Sequence, residues 1–172
     1  MSSTQLVEFR DGIAYGCTEY RNSWGGAARI WDSIWDKYGT KKHEYDNWLS
    51  AATDGRLWRL WETEGFSECE KLAYLFTCDN ALVAKEDFKK VAIALRDFAR
   101  IYPTTGCCHL NAFADYFDAS EGDAIGLYAT TVTENPWFSW DEEKDESVPY
   151  ELATGQRHWF IADRLSESAS AV

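Results

Sequence analysis

The sequence predicts an α+β fold: an antiparallel sheet with several helices packed on one side, forming one globular domain over residues 1–165. Two observations lead to this prediction. Strand-like patterns lie at both ends of the 172-residue chain, whereas helix-like patterns lie between them. Hydrophobic residues make up 45% of the chain and aromatic residues 16%, which is enough to fill the core of a single domain of this length.

The N-terminal part predicts a hairpin followed by a helix. Strands are expected at Gln5–Phe9 and Ile13–Tyr20, joined by Asp11-Gly12, a dipeptide typical of tight hairpin turns. A helix is predicted from about Trp24 to Tyr38, because its apolar residues recur at spacings of one, three and four. Those residues are Ile30, Trp31, Ile34, Trp35 and Tyr38. Two indoles on one face would bury a large area, so we expect this helix to organise the core.

Further helices are predicted in the middle of the chain. Short helices are expected at Tyr45–Ala52, at Asp54–Glu62 and at His109–Phe117. A longer amphipathic helix is expected at Lys85–Tyr102, since its apolar residues form one stripe and Pro103 prevents its continuation.

One segment of the middle region is ambiguous between helix and strand. Ser67-Glu68-Cys69-Glu70 matches a capping box, so a helical turn can begin at Glu68. The apolar run that follows fits either a continued helix or a buried strand, because periodicity does not separate them over so few residues. We predict a strand at Leu72–Thr77 and a turn at Cys78-Asp79-Asn80, in which Asp79 is best explained as an Asx-turn former.

The C-terminal third predicts strands and a polar tail. Ala124–Val132, Val148–Leu152 and His158–Ala162 have the composition of strands, and Trp137–Trp140 is a short apolar piece. Residues 166–172 are small and polar, so we expect them to be a disordered tail.

The charge of the chain is strongly negative and uneven. The formal net charge is −12, and residues 111–172 carry 13 acidic residues against 3 basic ones. This balance argues against direct binding of nucleic acid, which needs Lys and Arg to contact phosphates. It is compatible with a basic protein partner, including one that itself binds nucleic acid. Solubility alone is the alternative explanation.

Several features predict a cytoplasmic protein without a membrane role. The start of the sequence lacks the apolar region of a signal peptide, and no apolar run approaches the ~20 residues that span a bilayer. The five cysteines form no regular framework, so we expect reduced thiols. We predict neither a metal site nor a cofactor, because no zinc-binding spacing occurs.

A partner-binding surface is predicted around the acidic run Asp141–Ser147. If this run is extended, Asp141, Glu143 and Asp145 lie on one face at intervals of about 6.6 Å, because strand side chains alternate. Exposed aromatic residues beside carboxylates suit a basic binding groove, because the aromatics supply contact area and the acids steer the encounter. Two further acids stand near the end of a predicted helix, where the helix dipole disfavours them. The predicted residues are Asp115, Asp118, Trp137, Trp140, Asp141, Glu142, Glu143, Asp145, Glu146 and Tyr150.

Two weaker patterns indicate other chemistry. A small anionic ligand or nucleotide could bind exposed amides at the start of the first helix, using Arg21, Ser23, Gly25, Gly26 and Arg29. Close packing of that helix explains the two glycines equally well, and no phosphate-binding motif is complete.

The triplet Cys107-Cys108-His109 precedes a predicted helix, whose dipole would lower a thiol pKa and favour a thiol-dependent enzyme. Buried structural cysteines are the simpler interpretation, since His43 and His158, the likeliest bases, lie far away in the sequence and the spacing matches no zinc site.

These features together lead to a functional hypothesis. We expect an intracellular inhibitor whose acidic C-terminal third blocks a basic, nucleic-acid-binding surface of a partner protein by mimicking nucleic acid. The general character is similar to that of anti-defence proteins, including anti-CRISPR proteins, and of immunity proteins, although no specific motif carries this likeness. A small-ligand binder or thiol-dependent enzyme is the alternative.

Overall fold

The computed structural model of the protein describes residues 3–21, 25–62, 65–103, 109–129 and 135–170, with side chains as far as residue 167. The strands are β1 (Ser3–Arg10), β2 (Ile13–Arg21), β3 (Ala81–Ala84), β4 (Ala124–Ala129), β5 (Phe138–Asp141), β6 (Glu146–Pro149) and β7 (Trp159–Phe160). The α-helices are α1 (Ala27–Tyr38), α2 (Trp48–Thr53), α3 (Glu68–Phe76), α4 (Phe88–Ile101), α5 (Leu110–Ala119) and α6 (Ile161–Ser170). Short 3-10 helices span Leu57–Glu62 and Lys85–Asp87.

Five strands form the main sheet, in the order β2–β1–β4–β3–β7, and β5 pairs with β6 in a separate hairpin. Strand β1 lies second from the edge of the sheet and runs antiparallel to both β2 and β4, so that Leu6 lies opposite Thr18 on one side and Leu127 on the other. Strand β3 is antiparallel to β4, and only the short β7 adds in parallel. This mostly antiparallel sheet confirms the predicted α+β class.

The predicted hairpin of β1 and β2 is confirmed. Asp11 and Gly12 both have positive φ, at 51° and 74°, as the central residues of a tight hairpin turn often do. The pairing shifts between Glu8 and Phe9, because Glu8 lies opposite Gly16 whereas Phe9 lies opposite Ala14. Tyr15 is therefore the extra residue of a β-bulge.

The main core lies between the sheet and the helices, and α1 buries one face in it, as its apolar spacing predicted. Ile30, Ile34 and both indoles of α1 are buried. The Trp31 Nε1–H donates a hydrogen bond of 2.7 Å to the Thr77 hydroxyl, which satisfies the polar atom of a buried ring. The helix begins at Ala27, three residues later than predicted, with Gly26 as its N-cap.

A second, smaller core lies on the opposite face of the sheet. Its buried residues are Val7, Phe9, Ala14, Leu82, Ala124 and Trp137. Residues 137–160 cover it, contributing half-buried side chains such as Phe138, Tyr150 and Phe160. The sheet is therefore enclosed by helices on one face and by the hairpin segment on the other.

The strand predicted at Leu72–Thr77 is wrong, because this segment belongs to helix α3. The Ser67 side chain and the Glu70 side chain form the reciprocal bonds of a capping box, which fixes the start of the helix. Residues Leu72 to Phe76 are all buried. A helix enclosed on nearly every side lacks a polar face, so its sequence reads as an uninterrupted apolar run.

The C-terminal predictions also need correction. The strand predicted at His158–Ala162 is reduced to the two residues of β7, after which the chain turns directly into α6. Helix α6 continues to Ser170, so it replaces part of the tail predicted to be disordered. The short β3 was not predicted, since four residues give too little periodicity to recognise a strand.

Candidate protein-binding surface and neighbouring sites

The β5–β6 hairpin is anchored to the sheet by Trp137, which is fully buried. A Cβ atom at position 126 of β4 would come within 2.7 Å of the Trp137 indole. Glycine is therefore the residue that leaves room for this ring. The Trp137 Nε1–H donates a 3.0 Å hydrogen bond to the carbonyl of Leu127, and the indole meets Phe9 edge-to-face at 5.3 Å. The prediction that Trp137 is a surface contact residue is therefore wrong.

The acidic run is folded as the turn of this hairpin, and the predicted extended arrangement is wrong. The Asp141 carboxylate accepts hydrogen bonds from the amides of Glu143 and Lys144, at 3.0 and 3.2 Å, which closes the turn. Asp145 has a positive φ of 53°. The carboxylates consequently spread around a hairpin tip and do not line one face of a strand.

Most of the charge at the tip is exposed and unneutralised. The Lys144 ammonium lies 3.4 Å from the Asp141 carboxylate and 3.8 Å from that of Glu146. Among the described residues, Glu142, Glu143 and Asp145 have no cationic partner, and all three are exposed. The hairpin thus presents five carboxylates against one ammonium.

Trp140 is the exposed aromatic residue of the hairpin. It lies on the same face of β5 as Phe138, which packs against the second core, but it stands nearer the tip and is 61% exposed. Val148, on the neighbouring strand, is also exposed. A large aromatic side chain beside acidic residues is the combination expected of a contact surface.

Tyr150 is half-buried and holds the end of the hairpin segment in place. Its hydroxyl lies 3.1 Å from His158 Nδ1 and accepts a hydrogen bond from the amide of Arg157. Its ring meets Trp137 edge-on at 5.7 Å. These contacts indicate a structural role for Tyr150, which was predicted to be a partner-binding residue.

Asp115 and Asp118 lie apart from the hairpin, on α5. Both carboxylates accept hydrogen bonds of 2.7 Å from Arg96 Nη2 of α4, and this pairing offsets the unfavourable helix dipole. Helix α5 packs on the helical face of the sheet, whereas the hairpin covers the other face. The structure does not bring the two acidic groups together.

The predicted anion site at the start of α1 is largely occupied by packing. Gly25 and Gly26 are buried, and the carbonyl of Gly25 accepts a hydrogen bond from the amide of His109. The Arg29 guanidinium reaches Asp32 and the carbonyls of Tyr102 and Pro103. Arg21 is exposed on β2, and Ser23 lies outside the described residues. The anion site stays a prediction.

Of the cysteine triplet, Cys107 and Cys108 lie outside the described residues. His109 precedes α5, and its Nε2 is 2.9 Å from the carbonyl of Arg21. Its ring packs against Tyr20 and Phe113, which is consistent with a structural role.

A buried carboxylate that the sequence analysis did not single out is Glu70, which is 1% exposed. It accepts hydrogen bonds from the Lys37 ammonium at 2.8 Å, from the Ser67 hydroxyl and amide, and from the hydroxyls of Tyr38 and Tyr102. Burial raises the pKa of Glu70, but these hydrogen bonds outweigh it and lower the pKa to about 2. This carboxylate joins α1, α3 and the end of α4.

A groove lined by three tryptophans was also missed, because its walls come from distant parts of the chain. It lies between the 3-10 helix Leu57–Glu62, the end of α3 and the start of α6, with a volume of about 270 Å³. Its lining residues are Trp58, Trp61, Leu75, Cys78, Asp79, Trp159 and Arg164. Local spacing carries no signal for such a juxtaposition.

Comparisons with protein-family models, with curated proteins and with solved structures found no match for this chain. The longest helix in the described part of the chain, α4, has 14 residues, and none there is long and apolar enough to cross a membrane. Within the same residues, no group of three or more His, Cys, Asp or Glu side chains is arranged to hold a metal ion.

Proposed function

We propose that this protein is a cytoplasmic inhibitor that binds a basic, nucleic-acid-binding surface of a partner protein through the β5–β6 hairpin. The observation that carries the proposal is the hairpin itself: five carboxylates surround a tip beside the exposed indole of Trp140. Such carboxylates can occupy positions that phosphates would take, while the indole contributes buried contact area. The class of function is anti-defence, anti-CRISPR-like or immunity-like inhibition.

The placement of the hairpin supports this proposal. Its foundation, Trp137, is buried and hydrogen-bonded, so the strands are held firmly to the sheet. Its tip makes few contacts that folding requires, apart from the bonds that Asp141 makes within the turn. A rigid base beneath an exposed, charged tip lowers the entropy lost on binding.

The test begins with capture of the partner from an extract of the native host. The bait protein is compared with a variant in which Asp141, Glu142, Glu143, Asp145 and Glu146 are changed to Asn or Gln. A second variant, with the same change in net charge, neutralises five exposed acids elsewhere: Glu44, Glu62, Glu86, Glu121 and Asp123. We expect the partner to be retained by the wild type and the second variant and lost by the first.

The captured partner is then purified and tested for nucleic-acid binding. An equimolar amount of the wild-type protein should displace nucleic acid from it, whereas the hairpin variant should not. Surface plasmon resonance should show that the hairpin charges mainly accelerate association, and that this acceleration weakens as salt rises above ~0.15 M. Equal capture by both variants, or undiminished nucleic-acid binding by the saturated partner, would contradict the proposal.

Trp140 supplies an independent test of the same surface. Trp140→Ala should weaken partner binding at least ~10-fold, mostly through faster dissociation, because contact aromatics dominate interface energies. Leu49→Ala, at an exposed apolar residue on α2, is the matched control and should leave affinity unchanged.

A further inference from the structure

The tryptophan-lined groove has fixed walls. The Trp58 Nε1–H donates to the carbonyl of Ala52 at 3.1 Å, and the Trp159 Nε1–H donates to the carbonyl of Asp79 at 3.0 Å. The indoles of Trp58 and Trp159 are therefore oriented before any ligand arrives, which lowers the cost of binding. Leu75 adds an aliphatic side chain to this surface.

Two opposite charges line the same groove without pairing. Among the described residues, the Asp79 carboxylate has no hydrogen-bond donor and no cationic partner, and the Asx turn expected from its sequence is not formed. Asp79 and Arg164 are both exposed residues, and partial burial of the Asp79 carboxylate raises its pKa. The Arg164 guanidinium lies 4.8 Å from the ring centre of Trp159 and 6.0 Å from that of Trp61, and it likewise has no carboxylate partner among the described residues.

The arrangement of these charges limits the ligand. A simple cation would be attracted by Asp79 and the indole faces but repelled by Arg164. A simple anion would be attracted by Arg164 but repelled by Asp79 and the indole faces. A neutral apolar molecule would cover the indoles and leave both charges less solvated and still unpaired.

We infer that this groove binds a small zwitterion with an apolar side chain, of the α-amino-acid class. The ammonium group pairs with Asp79, the carboxylate pairs with Arg164, and the side chain packs against the indoles and Leu75. The volume of about 270 Å³ is slightly below the range of pockets for drug-sized molecules, which suits a single amino acid. This site is separate from the hairpin and does not depend on the function proposed for it.

Isothermal titration calorimetry with three related probes tests the inference. L-phenylalanine carries both charges, 2-phenylethylamine lacks the carboxylate, and 3-phenylpropionate lacks the ammonium. We expect L-phenylalanine to bind the wild-type protein at least ~10-fold more tightly than either analogue, since each analogue lacks one of the two charged contacts. Absence of binding by both L-phenylalanine and L-leucine, or equal affinity for the three probes, would overturn the inference.

Variants assign each charge to its partner. Asp79→Asn should remove the advantage of L-phenylalanine over 3-phenylpropionate, and Arg164→Gln should remove its advantage over 2-phenylethylamine. The matched controls are Asp123→Asn, an exposed acid that also precedes a strand, and Arg157→Gln, an exposed arginine that lies near a tyrosine ring. Both controls should bind L-phenylalanine as the wild type does.

Loss of binding through misfolding is separated from loss of a charge by comparing the probes. A misfolded variant loses affinity for every probe, whereas the inference predicts that each variant keeps its affinity for the probe that lacks the matching charge. A folded Asp79→Asn or Arg164→Gln protein with the wild-type preference among the three probes would contradict the assignment.

Discussion

Trp137 and Trp140 are three residues apart, and their surroundings assign them to different tasks. Trp137 is fully buried against Gly126 and Phe9, whereas Trp140 is 61% exposed. Trp137→Ala should lower the free energy of unfolding by about 3–5 kcal/mol, because it removes a buried ring and leaves a cavity. Trp140→Ala should change it by less than about 0.5 kcal/mol. Urea denaturation measures both, and a small loss in the Trp137 variant would contradict the buried position.

Glu70 should make stability depend on pH in the acidic range. Its pKa is lowered from 4.5 to about 2 in the folded protein, so its stabilising contribution is complete above pH 4.5 and is lost as pH falls toward 2. Glu70→Gln should therefore be less stable than the wild type at pH 7, and the difference should shrink steadily below pH 4.5. Thermal unfolding at a series of pH values measures this effect.

Glu68→Gln is the control for that experiment, because Glu68 lies in the same helix but is exposed and pairs with Lys90 at the surface. Its pH dependence should stay close to that of the wild type. A constant stability difference between Glu70→Gln and the wild type from pH 7 to pH 2 would show that the Glu70 carboxylate is not selectively stabilised in the folded protein.

For individual residues, the sequence predicted the burial of some side chains and not of others. The burial of Trp31 and Trp35 could be predicted, because helical periodicity places them on one face. The burial of Trp137 could not, since it depends on a glycine on a neighbouring strand across the sheet. Glu70 looked like an ordinary capping residue, because its partners Lys37 and Tyr102 lie far away in the chain.

The stability of helix α3 depends on the capping interactions at its N-terminus. Ser67 accepts the amide hydrogen of Glu70 and donates to its carboxylate, so Ser67→Ala removes both interactions. We expect a loss of about 1–2 kcal/mol in the free energy of unfolding. Ser67→Thr retains the hydroxyl and should keep most of the stability. Equal losses in the two variants, measured by chemical denaturation, would show that the hydroxyl is not the stabilising group.

The same helix shows where local sequence rules stop. The capping box was visible in the sequence, yet the five apolar residues of Leu72–Phe76 favoured a strand. What decides between them is the surroundings: the segment is enclosed by α1, α4 and the sheet, so a helix can be apolar on nearly all sides. Similarly, strand-like composition continues after Phe160, but β7 ends there and the chain continues as helix α6.

For the whole molecule, the hairpin tip should be separable from the fold. Replacing Glu142–Asp145 with Asn-Gly would join Asp141 and Glu146 by a two-residue turn, a connection well suited to antiparallel strands. The free energy of unfolding should change by less than about 1 kcal/mol, because the tip lies outside both cores. Partner binding should be lost. A variant that fails to fold would show that the tip is part of the folding unit.

The fold class could be predicted because strands at the ends and helices between them leave few arrangements. The covering of both faces of the sheet could not be predicted, because no local sequence pattern shows that residues 137–160 return over the second face. The acidic C-terminal third was evident from composition, but its division between the hairpin and α5 depends on topology. The tryptophan-lined groove, built from three distant segments, is the extreme case of this dependence.

The bulge at Tyr15 also affects the exposed outer edge of the main sheet. At the start of β2 the amide of Ala14 donates to the carbonyl of Tyr150, and at its end the carbonyl of Arg21 lies 2.9 Å from His109 Nε2. In the described part of the chain, no other strand of the main sheet pairs with the outer edge of β2. Open edges invite sheet-to-sheet growth. Here the bulge twists the strand, and the exposed Glu19 and Arg21 place charge along it. The bulge and these charges make the outer edge of β2 a poorer template for pairing with another strand.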